Sequence, residues 1–256
     1  MSLLRANLAD SIGTIAFDHY ARRNALSAAM IDEILAALDR FKTDRARAVI
    51  FRSAAPGQVW SAGHAVDELP TAGEDPLPYN DPLERLLRAV KGFPAPVIAM
   101  VQGGAWGGAC DLVMSCDIVL GDETCAFAIT PAKLGLPYNV AGFLDFMSRI
   151  PLTIVKEMFF TADPLPAARA LRVGIVNEIV PAAELEARTF TIARTIASRS
   201  PAAIAAFKET IHALSEATPI APATYEYLEG LRRNVYFGRD YREGIQAFLE
   251  KRRPIF

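Results

Sequence analysis

The 256-residue sequence reads as an α/β protein. Three observations carry that reading. Short β-branched apolar runs bounded by turn residues alternate with longer stretches of helical period through the first half, and from about Leu185 onward the pattern is helical almost throughout. Apolar residues make up 52% and charged residues 22% of a chain long enough to bury a large core, which excludes a disordered polymer.

Taken in order, SIGTIAF (11–17) alternates apolar and small residues and predicts a strand. In SAAMIDEILAALDRF, residues Met30, Ile31, Ile34, Leu35, Leu38 and Phe41 form one apolar stripe, and Ser27 stands where a helix cap belongs. AVIFRS (48–53) and PVIAMVQG (96–103) read as buried strands. Leu83, Leu86, Leu87 and Val90 predict a second amphipathic helix ending before Phe93-Pro94. SAGHAVDEL (61–69) is a small-residue turn with a helix expected soon after His64. GGAW is a second such turn, GGACDLVMSC a short helix, DIVL and CAFAI strands, and TPAKLGLPYN a Pro/Gly-rich turn. Helical breaks are expected near Pro201, at TPIAP (218–222) and at Gly238. No repeat of 20 to 50 residues is visible. The expected division is a core over 1–190 and a helical region over 191–256.

A formal charge of −2 gives no electrostatic reason to expect nucleic acid or an anionic membrane. The expected partner is a small molecule or another copy of the chain. Cys110, Cys116 and Cys125 are odd in number and lack CxxC spacing, which argues against a disulfide framework and against zinc. No metal is expected. A reducing, cytoplasmic location is expected, since the N-terminal stretch shows neither a secretion signal nor a membrane span.

Candidate chemistry sits in the two small-residue turns, Ser61-Ala62-Gly63-His64 and Gly103-Gly104-Ala105-Trp106-Gly107-Gly108. Neither fits a dinucleotide fingerprint or a phosphate loop. A helix starting near Gly107 points unpaired N–H groups outward, and two such groups from separate turns would stabilise a developing oxyanion. More often, glycine clusters serve tight turns and close packing. His64 itself is open to three readings: an acid or base, a metal ligand, or a residue whose backbone matters more than its ring. His19 and His212 lack metal-ligand spacing with it and read as packing.

SAGH with the following ELP, VQGGAWGGACDLVMSCDIVLGDETCAFAITPAKLGLP, ALRVGIVNEIVP and FLEKRRPIF together resemble the crotonase (enoyl-CoA hydratase/isomerase) superfamily nearly end to end. The resemblance implies a crotonase-like spiral of ββα units with a C-terminal helical trimerisation region, a coenzyme A thioester substrate, and oxyanion-hole N–H groups from His64 and Gly108. The positions that match the two glutamates of family hydratases hold Asp111 and Pro131, and proline transfers no proton. SAGH, WGGA, AITPAKLGLPYN, YNDPL, FTADPLPAARAL and AFLEKRRP resemble the methylmalonyl-CoA decarboxylase subgroup. That resemblance implies a carboxy-lyase needing no separate cofactor, working through an enolate in the oxyanion hole.

By the same carry-over, Tyr138 and Thr130 lie near the reacting acyl group, and Ala62, Gly63, His64, Ala65 and Val66 meet coenzyme A through their backbone. Gly108 and Thr130 complete that contact. Lys251 matches a lysine that approaches coenzyme A across the trimer interface, with Phe248 one turn earlier as a possible wall of the same groove. Asp111 is a possible proton donor or simply a first-turn acid on a helix. The Arg22–Asn24 segment is read either as a contact for coenzyme A phosphates or as a solvated loop. Ala65 departs from the aspartate common in the family. A homotrimer or dimer of trimers is implied. The alternatives are an enoyl-CoA hydratase or isomerase using Asp111 alone, and a non-catalytic coenzyme A-binding or RNA-associated protein. The lack of a basic, aromatic-interleaved patch counts against RNA.

Overall fold

A computed structural model describes residues 2–71, 73–215 and 219–256. Ten strands and ten α-helices are found among them. The chain opens with an antiparallel hairpin, β1 (Leu4–Ala9) and β2 (Ile12–Phe17), and then α1 (Ala28–Thr43). Ser27 caps α1 by accepting the Met30 N–H at 3.3 Å, as expected. Its buried stripe is Met30, Ile31, Ile34, Ala37, Leu38 and Phe41, with Leu35 at the margin and only half-buried.

Two ββα units and a third pair of strands follow. β3 (Ala48–Ser53) and β4 (Val59–Ser61) lead to α2 (Pro82–Lys91); β5 (Val97–Val101) and β6 (Gly104–Trp106) lead to α3 (Gly108–Ser115). β7 (Ile118–Gly121) and β8 (Ala126–Ala128) lead to a 3₁₀ turn, Pro131–Leu134. The repeat lies in the backbone path, not in the residue sequence. α4 (Val140–Arg149), α5 (Leu152–Thr161), β9 (Leu165–Pro166), α6 (Ala167–Val173) and β10 (Glu178–Ile179) close the core.

Within each unit the first strand joins one sheet and the second joins the other. The six-stranded sheet runs β1-β2-β3-β5-β7-β10, parallel from β2 onward, with Val49 opposite Val97 and Ala99 opposite Val119. The four-stranded sheet runs β4-β6-β8-β9. Layers cover both faces of the large sheet, which is why β5 is buried at every position and reads as a continuous apolar run. One core packs that sheet against α1, α2 and α3; a second packs Ile50, Ile98 and Leu120 against α7 (Ala182–Ala197) through Leu185 and Ala193.

α8 (Pro201–Ser215), α9 (Pro222–Tyr236) and α10 (Arg239–Leu249) follow, with breaks at Pro201 and Gly238 as expected. Of the TPIAP break, Thr218 lies outside the described residues. These helices hold the loop that follows His64. Leu69 joins Tyr236, Tyr241 and Ile245 in a third small core, and the Tyr241 hydroxyl donates to the Pro70 carbonyl at 2.5 Å. The guanidinium of Arg232, 6% exposed, pairs with Asp75 and donates to the Leu77 carbonyl at 3.0 Å.

Two local expectations are corrected. After His64 the chain makes only a 3₁₀ turn, Val66–Glu68, and the next α-helix begins at Pro82. Residues 104–106, read as a turn, form β6, whose three residues are too few to show a period.

Candidate active site

The loop that carries His64 is held by side-by-side backbone bonds. Arg23 and Asn24 adopt left-handed φ values of 52° and 51°, which turns their carbonyls onto the 61–63 segment. The Arg23 carbonyl accepts the Ala62 N–H at 2.9 Å, and the Asn24 carbonyl accepts the Ser61 hydroxyl at 2.7 Å. Leu26 then donates to Gly63 at 2.8 Å and accepts from Ala65 at 3.3 Å. Both of those bonds flank His64, so the His64 N–H faces the opposite side of the strand. Asn24 is buried, donating to Ser53 and to the Trp60 carbonyl, and Arg22 pairs with Asp67. The backbone of 22–24 and the buried Asn24 thus scaffold the loop, while the Arg22 and Arg23 side chains are exposed.

Gly63 lies at φ +81°, and a Cβ there would sit 2.1 Å from the Trp106 carbonyl oxygen and 2.9 Å from the Gly108 nitrogen. Only glycine lets the two turns meet so closely. Gly107, at φ +51°, donates its N–H to Ala128 at 2.9 Å and passes the chain into α3. Gly108 is the first residue of α3 and has no acceptor within the helix. A Cβ on Gly108 would meet the His64 nitrogen at 3.3 Å. The His64 and Gly108 backbone nitrogens therefore lie close together at the start of a helix, where its dipole favours negative charge. A Cβ on Gly107 would meet the Thr130 hydroxyl at 2.9 Å, which brings Thr130 to the same turn.

One helical turn into α3 lies Asp111, 8% exposed. The Tyr138 hydroxyl donates to its Oδ1. Burial pushes the Asp111 carboxyl up to about 7; the Tyr138 bond opposes this, while Glu84 and Asp145 add to it. Burial and then the Asp111 charge hold the Tyr138 hydroxyl well above its usual range. Edge-on contacts with Phe143 and Phe159, at 5.6 and 4.9 Å between ring centres, fix the Tyr138 ring. Glu84, raised by burial and restrained by the Asn139 amide, faces Asp111 from α2. Lys91 pairs with Asp145 at 2.6 Å. Asp111, Tyr138, Glu84, Asn139, Lys91 and Asp145 border a cavity of about 350 Å³. His212 of α8 also borders it, a more specific position than the general packing expected for it.

Arg149 steadies α3 from its far end. Its guanidinium donates to the Met114 and Cys116 carbonyls at 2.8 and 2.7 Å, satisfying groups that a helix leaves unpaired at its C-terminus. α10 packs behind the Thr130 turn: a Cβ on Gly244 would come within 2.0 Å of the Leu134 carbonyl oxygen. Phe248, in the last turn of α10, and Lys251, just past the helix at φ 55°, are both exposed. Ala62 and Val66 are half-buried, and Ala65 is buried.

The structure thus brings together Gly63, His64, Gly108 and Thr130, and separately couples Tyr138 to Asp111. Sequence reasoning placed Leu83 only in a helical stripe and gave no site role to Asp81 or Glu84. Asp81 caps α2 by accepting the Leu83 N–H at 2.8 Å, and the Asp-Pro pair at a helix start is a signal that could have found it. Nothing in the local sequence marks Glu84 as facing Asp111. Among the described residues no three His, Cys, Asp or Glu side chains gather as a metal site, and no helix is long and apolar enough to cross a membrane.

Comparison with known proteins gives the arrangement a family. The profile described as enoyl-CoA hydratase/isomerase matches residues 7–256. The chain is 42% identical to methylmalonyl-CoA decarboxylase of Escherichia coli (strain K12) over 247 residues, covering 96% of this chain and 95% of that one. It is 34% identical to human mitochondrial enoyl-CoA hydratase domain-containing protein 3, covering 96% and 81%. A solved structure of methylmalonyl-CoA decarboxylase in complex with 2-nitronate-propionyl-CoA superposes with a TM-score of 0.97 at 41% identity, over 99% of this chain and 98% of that one. Another, complexed with 2S-carboxypropyl CoA, gives the same TM-score over 100% and 98%. The ββα spiral, the two converging turns and these matches agree: the chain belongs to the enoyl-CoA hydratase/isomerase family, the crotonase superfamily.

Proposed function

We propose that the protein is a carboxy-lyase that decarboxylates methylmalonyl-CoA, or a related malonyl-type thioester, to propionyl-CoA without a separate cofactor. The observation that carries this reading is the close approach of the His64 and Gly108 backbone nitrogens at the start of α3, the helix that also carries Asp111. Pro131 stands where a second carboxyl would serve a hydratase. The 42% identity to a methylmalonyl-CoA decarboxylase over nearly its whole length supports the same reaction.

In this mechanism the thioester carbonyl oxygen accepts from both N–H groups. Thr130 and Tyr138 turn the acyl carboxylate perpendicular to the thioester plane. The breaking C–C bond then overlaps the carbonyl π system, carbon dioxide leaves, and its bonding electron pair becomes an enolate whose oxygen still accepts from both N–H groups. Negative charge develops on that oxygen in the transition state and is absent from the bound thioester, so the N–H pair acts on kcat. A proton returns to the α carbon from the Tyr138–Asp111 pair, and Asp111, titrating near 7, reloads from water in the adjoining cavity.

Backbone groups of Ala62 to Val66 hold the coenzyme A chain, Lys251 and Phe248 complete its groove, and the region from 191 onward serves a homotrimer or dimer of trimers. Phe207, Ile211 and Leu214 of α8 and Tyr227 and Leu231 of α9 are exposed in the single chain, an apolar surface that suits burial against further copies. A cytoplasmic enzyme fits this chemistry.

The test is purified protein with methylmalonyl-CoA, followed by product analysis. Propionyl-CoA supports the reading. Inertness toward methylmalonyl-CoA together with hydration of crotonyl-CoA overturns it and favours a hydratase working through Asp111 alone.

A further inference from the structure

The first turn of α2 touches both halves of the paired N–H site. Asp81 caps the helix with Oδ1, which accepts the Leu83 N–H at 2.8 Å, while its Oδ2 stands 3.5 Å from Nε2 of His64. That is an ion-pair separation, longer than a direct hydrogen bond. Both side chains are nearly buried, 14% exposed for His64 and 11% for Asp81. Two residues further on, the Leu83 side chain lies against Gly108, where a Cβ would come within 2.6 Å of its Cδ2. One helical turn therefore abuts the His64 ring with one residue and Gly108 with another.

The other ring nitrogen of His64, Nδ1, lies 3.1 Å from the Ala65 carbonyl oxygen. A carbonyl oxygen only accepts, so Nδ1 carries hydrogen. A neutral ring would then turn the Nε2 lone pair toward the Asp81 carboxylate, whereas a protonated ring turns an N–H toward it; only the second contact is attractive. The charges facing the ring are Asp81 from α2 and Glu68 from the 3₁₀ turn, and Glu68 is itself engaged by the Ala28 N–H at the start of α1 at 2.7 Å. Burial favours the neutral imidazole, but Asp81, the Ala65 carbonyl and Glu68 outweigh it, and the ring titrates above its ordinary value.

We propose that Asp81 is a positioning residue for the reaction: by clamping His64 as an imidazolium between its own carboxylate and the Ala65 carbonyl, it fixes the loop backbone so that the His64 N–H stays aligned with that of Gly108. The proposal rests on the reading of these two N–H groups as an oxyanion hole. It also answers why that position carries imidazole: the ring ties the 63–65 loop to α2, the same element that packs on Gly108.

The experiment combines NMR titration of the histidine rings in the full chain with steady-state kinetics on methylmalonyl-CoA, for wild type, D81N, D81S and D81E. His64 is assigned by the resonance lost in H64Q. Asn and Ser both remain good helix caps, so α2 keeps its start while the charge facing the ring is lost. In D81N and D81S the His64 midpoint is expected to fall by about one pH unit or more, and kcat by at least about 10-fold with KM changed much less. D81E is expected to recover part of both. A wild-type His64 midpoint at or below the ordinary histidine value overturns the proposal even if every Asp81 variant fails to fold. So does D81S turning over at the wild-type kcat. Because the titration needs no turnover, inertness of wild type toward methylmalonyl-CoA together with hydration of crotonyl-CoA would sink the decarboxylase reading while the His64 midpoint still decides the clamp.

Discussion

The Tyr138 hydroxyl donates to the Asp111 carboxylate, joining the loop before α4 to the first turn of α3. The bond acts against burial: burial drives Asp111 toward its neutral form, and the phenol favours the charged one.

Replacing Tyr138 by Phe removes that opposing bond, so Asp111 keeps its proton to higher pH. With protonated Asp111 as the donor, activity is present below its pKa of about 7 and lost above it. The falling limb of kcat therefore moves upward in Y138F, and kcat drops by about 10²-fold with the loss of an acid-base partner. A pH–rate profile of both proteins checks this; an unmoved limb would contradict the coupling.

Asp111 also makes stability depend on pH. Its folded pKa of about 7 lies above its ordinary value of 3.8, so between those values the folded chain holds a proton that the unfolded chain has released. Stability from this group then falls as pH rises through that window, by a few kcal/mol at most, since a tenfold difference in proton affinity is worth about 1.4 kcal/mol. D111N abolishes that dependence. Thermal unfolding at pH 5 and pH 8 should show a smaller loss on raising pH in D111N than in wild type.

Gly63→Ala tests the meeting of the two turns. The left-handed backbone alone costs about 1–2 kcal/mol with a Cβ, and the Trp106 carbonyl oxygen 2.1 Å away belongs to backbone that cannot swing aside. The loop must shift, and kcat should fall by about 10²–10³-fold, as when one oxyanion donor is lost. Wild-type kcat in a folded G63A protein would show that the convergence of His64 and Gly108 does no catalytic work.

Arg149 carries a prediction about α3 as a platform. Arg149→Met leaves the Met114 and Cys116 carbonyls without their partner, at about 1–3 kcal/mol for each buried acceptor. The melting temperature should fall, and kcat with it, because Gly108 and Asp111 both sit on the first turn of this helix. Arg149→Lys should recover only part of the loss, since one ammonium lacks the planar fork that reaches both carbonyls. Circular dichroism melts and kinetics on the same preparations decide it.

The elements that could be read from the sequence are those whose signal is local. The α1 stripe, its Ser27 cap, the stripe from Leu83 to Val90 and the run at β5 each record burial on one face or on both, and the structure has them where the residues put them. β6 and the 3₁₀ turn after His64 escaped because their three residues each carry no period of their own, whereas β1 alternates more and less exposed positions over six residues, a signal that could have found it. The family resemblance pointed to His64, Gly108, Thr130, Tyr138 and Asp111, but composition and spacing alone left the glycine turns open to simple packing, the commoner reason for such clusters.

What the sequence by itself determined, then, was the α/β architecture, the order of its main elements and the two glycine turns, because each follows from side-chain period or from a backbone that tolerates no Cβ. Tertiary structure alone decided which groups meet. Asp81 reaches His64 across 17 residues and Glu84 faces Asp111 across 27, from a helix that neither local pattern mentions. Charge, burial and hydrogen bonding act through space, and the spiral that folds α2 over both turns is what sets the proton affinities of His64 and Asp111.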